Sequence, residues 1–417
     1  MKKLVVIGNN KLKGNIKISG AKNSAVALIP ASLLADGEVV IENVPNISDI
    51  NSLGEILKYL GVHLNRENNK VTINLDGLQN KKVPEEIGTK LRASYYFMAS
   101  LLAKFKKVEM YFPGGCSIGA RPIDQTLKVF KALGATVIEK DNLFEITADR
   151  LIGNDITLDM PSVGATINAI IAASKAEGIT TIKNAAREPE IVDVADFLNN
   201  MGANIKDAGT STITIVGVNK LHGCTHKVIP DRIEAGTYII AGALLGNNLK
   251  IENVNCNHIK SLLDILIKMG TNIQIFDDYV IVSKSSTKCV DIITEGYPGF
   301  PTDLQQPITP LLINSDGIST IKETIYENRF QNVKYLVDMG ANINLINNKE
   351  VEIIGKGNLF GKEVFATDLR AGACMLLAAL NAEGTTVINE VEHILRGYEN
   401  ITEKLTNIGA NIRLEEI

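Results

Sequence analysis

The sequence predicts an α/β protein of six repeated strand–helix–strand–helix–strand units, grouped as two domains of three. Three observations predict it. A short phrase, an apolar residue followed by Gly and a small or β-branched residue, recurs with glycines at 61, 134, 202, 270, 340 and 409, spaced 73, 68, 68, 70 and 69 residues apart. Solenoid repeats run about 20–50 residues, so each of these longer units is a small subdomain. Two kinds of helix alternate through the units, one apolar nearly all round and one amphipathic. The last unit stops at NIRLEEI without the strand that later units use to begin, while an extra strand, GNIKIS, stands at 14–19.

Taken in order, the apolar helices read AVALIPASLLADG (25–37), TINAIIAASKAEG (166–178), TYIIAGALLG (237–246) and GACMLLAALNAEG (372–384). A helix that is apolar all round is buried on every side. Strands of similar wording follow them: EVVIENV (38–44), ITTIKNA (179–185), LKIENV (249–254) and TTVINEV (385–391). The amphipathic helix comes next. Ile50, Leu53, Leu57 and Leu60 keep helical spacing in the first unit, as do Ile123, Leu127 and Phe130 in the second. The repeat glycine then sits where a helix C-terminus takes a left-handed residue. A strand such as VTINL (71–75) closes the unit, with Val71, Ile73 and Leu75 on one face. Buried helices inside and sheets outside imply three units closing around a helical centre, twice over. With GNIKIS completing the last domain, domain one spans 22–229 and domain two spans 1–21 with 230–417. The chain crosses near residues 20–22 and 229–231, and the interdomain cleft is the expected active site.

Composition narrows the function. Hydrophobic residues at 45% and charged residues at 22% exclude wholesale disorder. A net charge of −4 with no basic run, 5% aromatics and no Trp argue against a nucleic-acid partner. The apolar stretch in MKKLVVIGNN is shorter than a signal-peptide core, and no run approaches the roughly 18 residues of a membrane span. A cytoplasmic protein, not bound to membrane, is the expectation. The five cysteines (116, 224, 256, 289, 374) form no CxxC, which disfavours disulfide frameworks and zinc fingers. His222, Cys224 and His226 in HGCTH alternate onto one strand face, yet no further ligand cluster accompanies them, so no metal is expected. There is no GxxxxGK[ST], and no GxGxxG after a strand. No cofactor and no obligate protein partner are expected.

Two segments break the repeat wording. In PGGCSIGARPID (113–124) three glycines bracket Cys116, with Arg121 five residues on. Such a loop lets backbone approach a ligand, and a thiol near a guanidinium has a lowered pKa. Cys116 is then an acid or a nucleophile, or else an exposed loop cysteine. In GAKNSA (20–25), Lys22 and Asn23 open a buried helix at a domain crossing. They form either an anion site at a helix N-terminus or a capping Asn beside a surface Lys. Arg92, Arg232, Arg329, Arg370 and Arg396 recur at helix starts, as carboxylate or phosphate clamps or as surface ion pairs. Asp303 and Asp368 open buried helices, where capping explains both and a general base is the sharper role for one.

In order, GAKNSA, PGGCSIGARPID, PSVGAT (161–166), NAAREPEIVD (184–193), FPTDLQ (300–305), ENRF (327–330), TDLRAG (367–372) and RGYENI (396–401) resemble the motifs of the enolpyruvyl transferases over essentially the whole chain. The resemblance implies two inside-out α/β barrels with the site between them. It implies transfer of the enolpyruvyl group of phosphoenolpyruvate to the 3-hydroxyl of UDP-N-acetylglucosamine with release of phosphate, the first committed step of peptidoglycan synthesis. By the same resemblance Cys116 is the acid, forms an adduct with phosphoenolpyruvate and is alkylated by fosfomycin. Asp303 is the base. Lys22, Arg121 and Arg396 hold phosphate, Arg329 and Arg370 face the carboxylate, and Asn23 lies beside the intermediate. Arg92, Arg121, Pro122, Ile123, Asp124, Gln125, Ser162, Val163, Gly164 and Ile325 are the implied sugar-nucleotide contacts. Some members carry a lysine ahead of SVGAT that reaches the diphosphate, where this chain has Asp159, Met160 and Pro161. The cysteine loop separates this reading from transfer to shikimate 3-phosphate. A non-catalytic repeat protein that binds a partner is the remaining alternative.

Overall fold

The computed structural model describes residues 2–114 and 122–416. The described residues fall into two compact units, one of 20–114 with 122–229 and one of 2–19 with 230–416.

The 20–229 unit holds three inner helices, Lys22–Ala31, Tyr96–Phe105 and Val163–Ala173. Three sheets accompany them. The first runs Thr225–Lys227, Val39–Glu42, Lys70–Asn74, His63–Glu67; the second Lys107–Tyr111, Leu143–Thr147, Thr136–Lys140; the third Asp155–Thr157, Ile179–Lys183, Thr212–Val216, Asn204–Lys206. The second sheet has three described strands. Where its neighbours add a parallel edge strand, it has hydrogen bonds from the Val83 N–H to the Glu109 carbonyl and from the Asn80 side chain to the Lys107 carbonyl. The period-two pattern read from VTINL sets the register of the first sheet. Ile73 pairs with Val39 and Val71 with Ile41, and all four are fully buried.

The second unit repeats the plan with inner helices Arg232–Leu245, Thr302–Asn314 and Leu369–Asn381. Its N-terminal segment supplies two strands rather than the single one read from the sequence. Asn15–Lys17 pairs in parallel with Leu249–Glu252, and Lys2–Ile7 lies antiparallel between Thr385–Asn389 and Asn411–Glu416. Every residue of Leu369–Asn381 is buried; Leu312 in Thr302–Asn314 is fully buried too, and truncating it to Ala would cost about 2–5 kcal/mol. The outer helices bury one stripe only: Lys260–Met269 buries Leu262, Leu263, Leu266 and Met269. Each unit has its own apolar core.

All six repeat glycines have φ between +83° and +107°. Each follows or caps an outer helix, as its sequence position predicts. The inner helices, by contrast, begin three to five residues before the apolar runs that reveal them, at Lys22, Val163, Arg232 and Leu369. These first turns carry the candidate site residues Lys22, Asn23, Val163, Gly164 and Arg370. No helix among the described residues is long and apolar enough to cross a membrane.

Candidate active site

In the 20–229 unit the inner-helix N-termini gather at one end. The Arg92–Tyr95 turn packs on the first inner helix, and Tyr95 also meets the third, where a Cβ on Gly164 would lie 1.5 Å from the Tyr95 hydroxyl. Close approach therefore requires glycine at 164. Lys22 is the first residue of its helix, and its Nζ lies 2.8 Å from Asp49 Oδ2 with both side chains nearly buried. Asn23 stands beside it, half-buried. It does not cap the helix: the N-cap is Ala21, with no side-chain cap bond. The Lys22 cation thus stands at a positive helix end, ion-paired to Asp49.

Arg92 opens a short turn before the second inner helix, its guanidinium 5.6 Å from the Tyr95 ring and 5.4 Å from the Phe112 ring. Its Nη2 donates to the Pro122 carbonyl at 3.4 Å. Ile123 is buried and Asp124 exposed at the start of the outer helix Asp124–Ala132. Gln125 donates to Asp159 Oδ2 at 2.9 Å and accepts from the Asp159 N–H at 2.9 Å. Its side chain thus fixes the turn ahead of Met160, which is 62% exposed. Lys128 donates to Asp159 at 2.6 Å and holds that carboxyl below its ordinary value. Ser162 caps the third inner helix, its Oγ accepting from the Ala165 N–H at 3.3 Å, and Val163 follows as the first helical residue.

The second unit has the same design with denser charge. Asp303 is the second residue of Thr302–Asn314, one oxygen 2.7 Å from Arg329 Nη2 and the other 2.9 Å from Arg370 Nη2. It is an ion-pair carboxylate and not a helix cap. Asp368 is the cap, accepting from the Arg370 and Ala371 N–H groups at 2.8 and 3.1 Å. Burial pushes the Asp303 carboxyl up, but the charges of Arg370 and Arg329 override it and hold it well below the usual carboxylate range. Arg329 is 2% exposed and also donates to Gln306 at 3.3 Å. Arg370 donates to the Tyr398 hydroxyl at 3.2 Å, which bonds Thr237 at 2.9 Å.

Two of the five arginines read as helix-start residues stand elsewhere. Arg329 precedes the outer helix Val333–Asp338 in a turn, and Arg396 lies at the C-terminal end of the short Glu392–Leu395 helix. Arg396 shares its turn with Tyr398, the partner of Arg370. Ile325 is 41% exposed in the loop leading to Arg329. Cys116 and Arg121, with Gly115 and Gly119, lie outside the described residues. In HGCTH, His226 is buried and hydrogen-bonded to Asp193 at 2.8 Å, and no cluster of metal-ligating side chains occurs among the described residues. Sequence reasoning did not find Asp49, Gln306 or Thr237, since each reaches its partner across the fold rather than along the chain.

The sequence matches the EPSP synthase (3-phosphoshikimate 1-carboxyvinyltransferase) family over residues 6–405. It is 48% identical over 413 residues, 99% of both chains, to UDP-N-acetylglucosamine 1-carboxyvinyltransferase 3 of Caldanaerobacter subterraneus. It is 51% identical over 419 residues, the whole of both chains, to UDP-N-acetylglucosamine 1-carboxyvinyltransferase 2 of Clostridium acetobutylicum. The enolpyruvyl transferase NikO from Streptomyces tendae has a similar structure, with a TM-score of 0.91 at 27% identity, covering 99% of this chain and 98% of that one. EPSP synthase from Acinetobacter baumannii shares the fold at a TM-score of 0.77 and 20% identity, with both chains fully covered. The chain belongs to the EPSP synthase family of enolpyruvyl transferases.

Proposed function

We propose that this chain transfers the enolpyruvyl group of phosphoenolpyruvate to the 3-hydroxyl of UDP-N-acetylglucosamine, releasing phosphate. The observation that carries the proposal is Asp303 held between Arg329 and Arg370, in a chain about half identical along its whole length to relatives of that name. In the reaction the sugar hydroxyl adds to C2 of phosphoenolpyruvate while C3 gains a proton. The C2–O bond to phosphate then breaks as C3 loses a proton. Asp303 takes the hydroxyl proton. With two guanidinium groups on it, that carboxylate is a weak base. An anionic substrate group on Arg329 and Arg370 draws their charge away and raises its basicity. Lys22, paired with Asp49 in the other unit, is read as a phosphate ligand. Clamping the charge that spreads over carboxylate and phosphate is where electrostatic catalysis is largest.

In this proposal Cys116 protonates C3, and Arg121 and Arg396 complete the phosphate clamp. Arg92, Pro122–Gln125, Ser162–Gly164 and Ile325 face the sugar nucleotide, with Gln125 acting through the turn at Asp159. The reading implies a cytoplasmic enzyme at the first committed step of peptidoglycan synthesis. Intact mass after fosfomycin treatment tests it. One adduct, at Cys116 and absent from Cys116→Ala, is expected. The other thiols are poor competitors, because burial pushes Cys224 up to about 11 and Cys374 higher still. An adduct at another cysteine, or none, contradicts the proposal.

A further inference from the structure

We propose that Glu323 is a positioning residue that sets Asp303 and Arg329 in register. Glu323 follows the strand Ile318–Lys322 and is fully buried. Its Oε1 accepts from Thr294 Oγ1 at 3.0 Å and from the N–H groups of Ile325 and Tyr326 at 2.8 and 3.2 Å. Its Oε2 accepts from Thr302 Oγ1 at 2.9 Å. These four partners are two hydroxyls and two backbone amides, with no cation among them. A carboxylate buried in such company is expensive unless each acceptor site is filled.

The partners explain why an acid stands there. Thr302 immediately precedes Asp303 at the start of its helix. Ile325 and Tyr326 open the loop that delivers Arg329, and the Tyr326 ring lies 5.1 Å from the Arg329 guanidinium. The Arg329–Asp303 pair at 2.7 Å closes the ring. Glu323 therefore ties together the backbones of the two elements whose side chains meet in that ion pair, and does so without touching either charged group. The backbone of Glu323 is fixed in turn, its N–H donating to the Lys349 carbonyl at 2.8 Å. Thr294, itself fully buried, is braced by the Thr324 N–H at 2.9 Å. Side-chain placement within a fraction of an ångström matters in a site of this kind, since a misplacement of about 1 Å costs on the order of 100-fold in rate.

The inference rests on the reading that Asp303 and Arg329 act on substrate. The test is phosphate release from phosphoenolpyruvate at saturating phosphoenolpyruvate and UDP-N-acetylglucosamine, with the folded fraction of each variant taken from circular dichroism and Tm. Glu323→Ala lowers kcat per folded molecule by roughly 30- to 100-fold. Glu323→Gln keeps one carbonyl for the loop amides and lets the Thr302 hydroxyl turn to accept from its amide, so kcat returns to within about five-fold of wild type. A merely structural role lowers Tm and leaves kcat per folded molecule unchanged. Should Glu323→Ala fail to fold, Thr302→Val decides: it removes only the donor beside Asp303, and kcat falls about ten-fold. Unchanged kcat in the deciding variant, or a Gln variant as impaired as the Ala variant, overturns the inference. A wild-type enzyme that releases no phosphate overturns the proposed function first, and this inference with it.

Discussion

Asp303→Asn is the most informative single change, because the structure gives its size and its pH dependence together. The substitution removes the negative charge from two guanidinium groups whose side chains are 2% and 7% exposed. Breaking a buried pair by deleting one partner costs about 3–5 kcal/mol. The low end applies here, since the Asp303 side chain is 26% exposed and Asp368 still faces Arg329 at 3.8 Å. About 3 kcal/mol corresponds to a fall in Tm of roughly 6–12 °C for a unit of this size. The sign with pH follows from Asp303 being held below its unfolded value, about 3.9 for Asp. Such a group contributes fully above the unfolded value and loses its contribution as pH falls toward the folded one. Thermal melts of both proteins should show a Tm gap that is flat from about pH 5 to about pH 8 and narrows below about pH 4. The same variant should lose about 10²- to 10⁴-fold in kcat. Equal Tm values at neutral pH, or a gap that widens in acid, would refute the reasoning.

Three further outcomes are expected. Gly270→Ala destabilises by about 1 kcal/mol through its backbone alone, with φ +83° and the nearest atom 3.9 Å from an added Cβ. Gly61→Ala at φ +84° loses at least about 1–3 kcal/mol more, since its Cβ would lie 2.2 Å from the Gly77 carbonyl; urea melts compare the two. Burial pushes the Glu234 carboxyl up to about 7 from an ordinary 4.5, against the pull of Lys404 2.6 Å away. The folded state then keeps a proton that the unfolded chain has released, so stability falls as pH rises between those values. Tm measured across that window should slope downward in wild type and flatten in Glu234→Gln. In fosfomycin labelling, the rate should follow Cys116 alone, unchanged in Cys224→Ala, because the Cys224 thiol stays protonated.

The periodic parts of the molecule were legible because they obey local rules. A repeat glycine needs positive φ wherever an outer helix ends, and the chain spells that out six times. Apolar runs marked inner helices such as 163–173 but placed their starts too late, since Lys22, Gly164 and Arg370 sit in polar first turns that no hydrophobic pattern includes. Asp303 marked the start of the Thr302–Asn314 helix, which contains Pro307 and Pro310. Residues fixed by long-range pairing were not legible. Asp49 meets Lys22, and Gln306 meets Arg329, through packing that sequence spacing does not encode. Asp303 was found as a charged residue at a helix start, but its clamp joins Arg329 from a turn and Arg370 from the first turn of a helix in another repeat.

The identity of the acceptor is tested most directly by phosphate release. Purified protein is mixed with phosphoenolpyruvate and either UDP-N-acetylglucosamine or shikimate 3-phosphate, and phosphate is followed with time. Release dependent on UDP-N-acetylglucosamine, and lost in Asp303→Asn, is the predicted result. Release with shikimate 3-phosphate instead, or with neither acceptor, would contradict it.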